Sequence, residues 1–296
     1  MSNYYKNLEK VSNIRSLLCE GPCWDEINNT IYWIDIIKKS IHSYDFSHSE
    51  AKTIQLDKYI GSMGLTKKGE IISTLQDGYY FIDNKTGATK LIKKVKENAD
   101  IKRFNDGKID SSGNYWAGTV SYEEKKAIGT LYCLGSDLQL KKFFNGIIIS
   151  NGITWSLDNK KMYYIDTPTM KVDVFDFDVE KAEITNRRTS IEIPKNIGYP
   201  DGMTIDIEGK LWIAHWGGSR VCRWDPDTKK IIKTIDMPAA RVSSCAFGGT
   251  NLDELFITTA ERGFTEDLDK YDDKDSGYLY RVQTDTKGMD SFKFNS

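Results

Sequence analysis

The chain of 296 residues has only three histidines, His42, His48 and His215, so any metal site in it must be built mainly from oxygen. It has five cysteines, Cys19, Cys23, Cys133, Cys222 and Cys245, an odd number with no CxxC pair. That pattern points to reduced, mostly buried thiols in a cytoplasm rather than to a disulfide framework. Long apolar runs are absent too: stretches such as Ile147 to Ile149 are far too short to cross a bilayer. The segment from Met1 to Lys10 is polar and lacks the apolar centre of a secretory signal, so a cytoplasmic location is expected. Charge of one sign is missing as well. With 41 basic and 43 acidic side chains the formal net charge is -2, which offers no footprint for nucleic acid or an anionic membrane. Amphipathic helical periodicity is almost absent, and so is the GxSxG elbow of a serine hydrolase.

What is present repeats. Aromatic side chains make up 12% of the chain, with 16 Tyr and 7 Trp, a composition natural for stacked strands. Six heptapeptides share one design: TIYWIDI from Thr30, EIISTLQ from Glu70, NYWAGTV from Asn114, KMYYIDT from Lys161, KLWIAHW from Lys210 and ELFITTA from Glu254. Each starts polar after a turn and runs into β-branched and aromatic residues. The turns KKGE, SSGN, LDNK and IEGK supply the Gly or Asn that a sharp hairpin needs. A second family of strands follows, among them SIHSYDF from Ser40, GTLYCLG from Gly129 and SRVCRWD from Ser219. A short strand precedes each heptapeptide and a fourth strand closes each unit. Four short strands recurring six times predict an all-β, six-bladed β-propeller with four antiparallel strands per blade. A solenoid of β-coils is the competing reading, and the tight hairpins argue against it. No linker breaks the units, so residues 1–296 are expected to form a single domain. Residues 1–17 are expected to add a strand beside the C-terminal blade and so close the ring.

The register of the innermost strands exposes a candidate site. Counting four residues back from Trp24, Leu65, Ile109, Trp155, Ile205 and Phe247 gives Glu20, Gly61, Asn105, Asn151, Asp201 and Ser243. These positions should form a ring around the central channel. Four of them carry carboxylate or carboxamide oxygens, a donor set suited to a hard divalent cation with room left for water. Asn151-Gly152 and Asp201-Gly202 are also ordinary turn dipeptides, which is the alternative for each residue alone. Loops joining second to third strands should overhang the same mouth. They include residues 121–128, which make Glu123 and Glu124 candidates for touching a ligand, and residues 261–276. Strand ends put Asp35, Asp166 and His215 near the rim. The acidic loop 261–276 lacks the Gly and terminal Glu of an EF-hand and reads as a solvated loop.

The segments CEGPCW, RFNDGKIDSSGNYWAGT, ISNGITWSLDNKKMYYID, PDGMTIDIEGKLWIA and SSCAFGG closely resemble the regucalcin, gluconolactonase and luciferin-regenerating enzyme family, also called senescence marker protein. The match runs in order over nearly all of the chain. The family's six-bladed propeller and mouth-bound divalent metal are what the resemblance implies. Carried over by position, its metal ligands fall on Glu20, Asn151 and Asp201, and its substrate contacts on Arg103, Asn105 and Glu123. The segment HWGG from His215 looks more like bacterial sugar lactonases than animal regucalcins. The expected function is therefore hydrolysis of a small-molecule sugar lactone to the aldonic acid. One divalent cation is expected, calcium first, with zinc, magnesium or manganese as alternatives. It would polarise the lactone carbonyl while Asp201 activates the attacking water. Two other classes remain open: a non-catalytic calcium-binding regulator and a protein-interaction platform.

Overall fold

Short strands of alternating or fully buried residues, joined by tight turns, can hide their apolar faces only by stacking sheet on sheet. The computed structural model describes residues 7–95, 100–266 and 273–295. Among them, twenty-four strands form six four-stranded antiparallel sheets. Five sheets are consecutive meanders, such as Cys19–Asp25, Thr30–Asp35, Ser40–Asp45 and Glu50–Gln55 in the first blade. The sixth takes its outermost strand from the other end of the chain: Glu9–Lys10 pairs with Leu279–Gln283, Glu9 opposite Arg281. The protein is thus a six-bladed β-propeller, closed by its N-terminal segment as expected. The six heptapeptides become the second strands of the blades. No helix among the described residues is long and apolar enough to cross a membrane. All five cysteines are free and four are buried.

The core lies between blades rather than within one. One cluster joins Tyr163, Ile165 and Val172 of the fourth blade to Met203, Ile205 and Leu211 of the fifth. Another joins Trp212 and Val221 of the fifth to Phe247 and Leu255 of the sixth. Each such side chain contributes about 1.5–3 kcal/mol when buried. Two buried indoles are satisfied locally: Trp116 and Trp212 donate Nε1–H to Asp110 and Asp206 in the preceding turns, at 2.8 and 2.9 Å. After the last strand the chain crosses back over the far mouth. Ile207 donates its amide to Lys287 O at 2.9 Å, Phe294 bridges Thr66, and Lys293 pairs with Glu26 at 2.7 Å. This strap ties blades five, one and two together at the end opposite the candidate site.

Every innermost strand carries a β-bulge at one level of the channel. The register breaks between Glu20 and Cys23, Ile60 and Ser62, Phe104 and Gly107, Ser150 and Ile153, Pro200 and Met203, and Val242 and Ser244. Those are the ring positions, five inside the bulge and Glu20 at its edge. Asn151 and Asp201 therefore lie within strands Ser150–Trp155 and Tyr199–Ile205, which overturns the turn reading of their NG and DG pairs. A bulge leaves one residue unpaired and re-aims its side chain, and the four at Glu20, Asn105, Asn151 and Asp201 set polar side chains on the channel. Gly61 has none, and Ser243 donates its hydroxyl to Cys19 O at 2.6 Å. Gly61 sits where the second blade comes close to the third. A Cβ there would sit 2.6 Å from the Phe104 carbonyl carbon and 2.8 Å from Asn105 O, both backbone. Gly61→Ala must push the second blade off the third. A stability loss of about 2 kcal/mol or more is expected in chemical denaturation, on the scale of core overpacking.

Candidate active site

Glu20, Asn105, Asn151 and Asp201 each come from a different innermost strand and line one cavity of about 250 Å3 at the mouth. Arg103, Glu124, Thr167, Tyr199, Trp216 and Phe264 are among the residues that complete its walls. All four ring side chains are buried. Burial first, and then the neighbouring Asp106, raise the Glu20 carboxyl to about 8. Asp201 is also driven well above the usual carboxylate range, by burial first and then by Glu20, Asp106 and Glu124. At Glu20 burial and like charge outweigh the opposing pull of Arg103, and Glu20 in turn raises Asp201.

The hydrogen-bond network shows which oxygens are spoken for. Asn105 donates Nδ2–H to Ser150 O at 2.8 Å and to Asn151 Oδ1 at 3.0 Å. Asn151 in turn donates to Thr167 Oγ1 at 2.7 Å. Arg103 is only 1% exposed, and its Nη1 donates to Asn105 Oδ1 at 2.6 Å and to Phe104 O at 3.1 Å. Its Nη2 reaches Glu124 Oε1 at 2.9 Å, and its guanidinium lies 4.3 Å over the Phe264 ring. Phe264 itself packs edge-on to Tyr59 at 5.2 Å, so the loop from the sixth blade holds the arginine flat. Among the residues lining the cavity, two buried polar atoms have no partner: Asp201 Oδ1, an acceptor, and Arg103 Nε, a donor. Leaving such groups unsatisfied costs about 1–3 kcal/mol each, which a ligand can recover.

The residues fit a hard divalent cation. Among the described residues no three His, Cys, Asp or Glu side chains gather at one point. The donor set is instead two carboxylates, Glu20 and Asp201, with the amide oxygen of Asn151. Two negative charges, one neutral oxygen and an unpartnered Asp201 Oδ1 suit calcium, magnesium or manganese, and water fills the rest of the shell.

One expected residue is misplaced. Glu123 is exposed and pairs with Lys126 at 2.9 Å, pointing away from the cavity. Glu124 takes the inward place instead. The reason is local: Glu124 has a left-handed backbone, φ 54°, with its amide bonded to Ser121 O at 2.9 Å. That turn sends neighbouring side chains to opposite sides. The rim residues Asp35 and Asp166 are occupied structurally: Asp35 accepts from Leu17 N at 2.7 Å and Asp166 from Ile149 N at 2.9 Å. His215 is fully buried, and burial lowers its pKa to about 4. The centre of the acidic loop, residues 267–272, lies outside the described residues. Glu124→Gln should lower kcat/KM by about 10-fold or more, because it removes the charge that anchors Arg103. Glu123→Gln should leave steady-state kinetics at the wild-type level.

Thr167 is a cavity residue that sequence reasoning did not assign, whereas Glu124 was a candidate beside Glu123 without a role of its own. Thr167 closes the heptapeptide KMYYIDT and reads as the end of a strand; only the Pro168 after it hints at a change of direction.

Comparison with known proteins gives the chain its family. The family model described as "SMP-30/Gluconolactonase/LRE-like region" matches residues 18–261. The chain is 37% identical to the Bacillus subtilis protein named "Putative sugar lactone lactonase YvrE", covering 96% of this chain and 97% of that one. It is 35% identical to regucalcin of Gallus gallus, covering 97% and 98%. The solved structure of a luciferin-regenerating enzyme superposes with a TM-score of 0.91 at 32% identity, over 98% of this chain and 99% of that one. The chain belongs to the SMP-30/gluconolactonase/luciferin-regenerating enzyme family.

Proposed function

We propose that this protein is a divalent-metal-dependent lactonase that opens a sugar lactone to the aldonic acid. The observation that carries this reading is the buried, unpartnered Oδ1 of Asp201 beside a second buried carboxylate, Glu20, on the wall of a cavity of about 250 Å3. The volume lies near the lower end of small-molecule sites, about 300 Å3, and suits one ring rather than a chain of sugars. The resemblance to a lactonase and the family membership support the same chemistry.

Glu20, Asn151 and Asp201 would hold the cation, whose charge supplies polarisation of the lactone carbonyl and stabilisation of developing negative charge. Arg103 and Asn105 would bind the ring oxygen and hydroxyls. The free Arg103 Nε–H is a donor for one of them, and Glu124 keeps the guanidinium in place. Asp201 Oδ1 takes a proton from the water that attacks the carbonyl carbon. As the carbon–ring-oxygen bond breaks, that proton goes to the departing alkoxide. Tyr199 and Trp216 at the rim offer flat apolar faces to the sugar ring.

A pH-indicator screen of aldonolactones, run with calcium, manganese, magnesium and zinc, tests the reading. Acid release from at least one lactone, stopped by chelator, is expected. Tight calcium binding without turnover of any lactone would instead support a regulator of the kind that the regucalcin relative's name suggests.

A further inference from the structure

We infer that Thr167 is a positioning residue for the cation ligands Asn151 and Asp201, acting through one hydroxyl that fixes both of the strands carrying them. The inference rests on the mouth being a cation site.

Thr167 follows the second strand of the fourth blade, Lys161–Asp166, and is buried. Its backbone is clamped: its amide donates to Ile149 O at 3.1 Å, and its carbonyl accepts from Met170 N at 3.1 Å. Pro168 follows and fixes the turn. The side chain therefore has a set position. Its Oγ1 donates to Pro200 O at 2.8 Å and lies 2.7 Å from Asn151 Nδ2.

A hydroxyl has one proton. Here the Pro200 carbonyl, which can only accept, takes it. Thr167 Oγ1 is left as an acceptor towards Asn151, so the amide must turn its NH2 to Thr167. Its Oδ1 then faces the other way, where Asn105 Nδ2 donates to it at 3.0 Å. A carbonyl oxygen has a second lone pair free for a cation. One hydroxyl thus selects which end of the Asn151 amide a cation meets.

The same hydroxyl acts on Asp201. The Pro200 carbonyl lies in the peptide plane that leads into Asp201, and holding its oxygen orients that plane. Gly152 permits the close approach this needs, since a Cβ there would sit 2.8 Å from Asp201 O. Thr167 therefore ties the fourth blade to the fifth at the level of the ligands. It sets the spacing between the Asn151 oxygen and the Asp201 carboxylate.

The test uses Thr167→Val, which keeps the branched shape and removes the hydroxyl, and Thr167→Ser, which keeps the hydroxyl. Metal-stripped proteins are titrated calorimetrically with Ca2+ and with Mn2+, and thermal unfolding is followed with and without the ion. Thr167→Val should weaken cation binding about 10-fold or more, the scale of losing an outer-shell partner. The rise in Tm caused by the cation should shrink correspondingly, and Thr167→Ser should bind as wild type does. A purely structural role would lower Tm equally with and without cation and leave affinity unchanged, which would overturn the inference. So would a Thr167→Ser variant as impaired as Thr167→Val. Wild-type protein that binds neither ion overturns the cation site itself, and the role of Thr167 with it.

Discussion

Asp201→Asn should lower lactone turnover by about 100-fold or more at saturating metal, the scale of losing a positioned base. The substitution keeps shape and one ligand oxygen. It removes a negative charge and, among the described residues, the only group on the cavity wall that is both buried and unpartnered as an acceptor. Glu124 cannot replace it, because its Oε1 is engaged by Arg103 at 2.9 Å. Cation affinity should fall as well, so occupancy must be checked by elemental analysis before rates are compared. Near-normal turnover in a fully metallated variant would remove Asp201 from the proton-transfer step and leave it as a ligand alone.

Glu20→Gln should have opposite effects on function and on stability. With one of two charged ligands gone, cation affinity should drop by about 100-fold or more, since ligand charge tunes such sites over decades. Lactone hydrolysis at micromolar metal should disappear with it. The metal-free protein, however, should unfold at a higher temperature than wild type. Burial and Asp106 disfavour the Glu20 carboxylate, and Asp201 suffers from Glu20 in turn, so a neutral amide relieves both. Calorimetric titration and thermal unfolding in chelator check the two halves separately. A lower Tm in chelator would mean that Glu20 stabilises the fold, contrary to the tension assigned to it.

The blades were legible because their signal is local and repeated. Each heptapeptide places a polar start, a β-branched run and a turn at fixed offsets, and strands such as Lys161–Asp166 and Leu211–Trp216 lie where that pattern puts them. Counting back along the innermost strands located Glu20, Asn105, Asn151 and Asp201, which share a cavity wall. The bulges that aim them were not legible, because an Asn-Gly or Asp-Gly pair reads equally well as a turn. The loop made Glu123 and Glu124 equal candidates and the resemblance put the role on Glu123; neither shows that a left-handed residue at 124 turns the two side chains apart. Thr167 was missed for a different reason. Its importance comes from Pro200, 33 residues away on the next blade, and no spacing rule connects them. The strap at residues 287–295 escaped too, since its few backbone bonds, to blades two, three, five and six, and its ion pair to blade one carry no sequence pattern.

The most direct test of the central claim, that the mouth holds a cation needed for lactone hydrolysis, is a titration of activity. Metal-stripped protein is supplied with increasing Ca2+ or Mn2+ while acid release from the best aldonolactone is recorded. Activity should rise from the uncatalysed rate and level off at one equivalent of metal per chain. Full lactone turnover by protein shown to be free of metal would contradict the account.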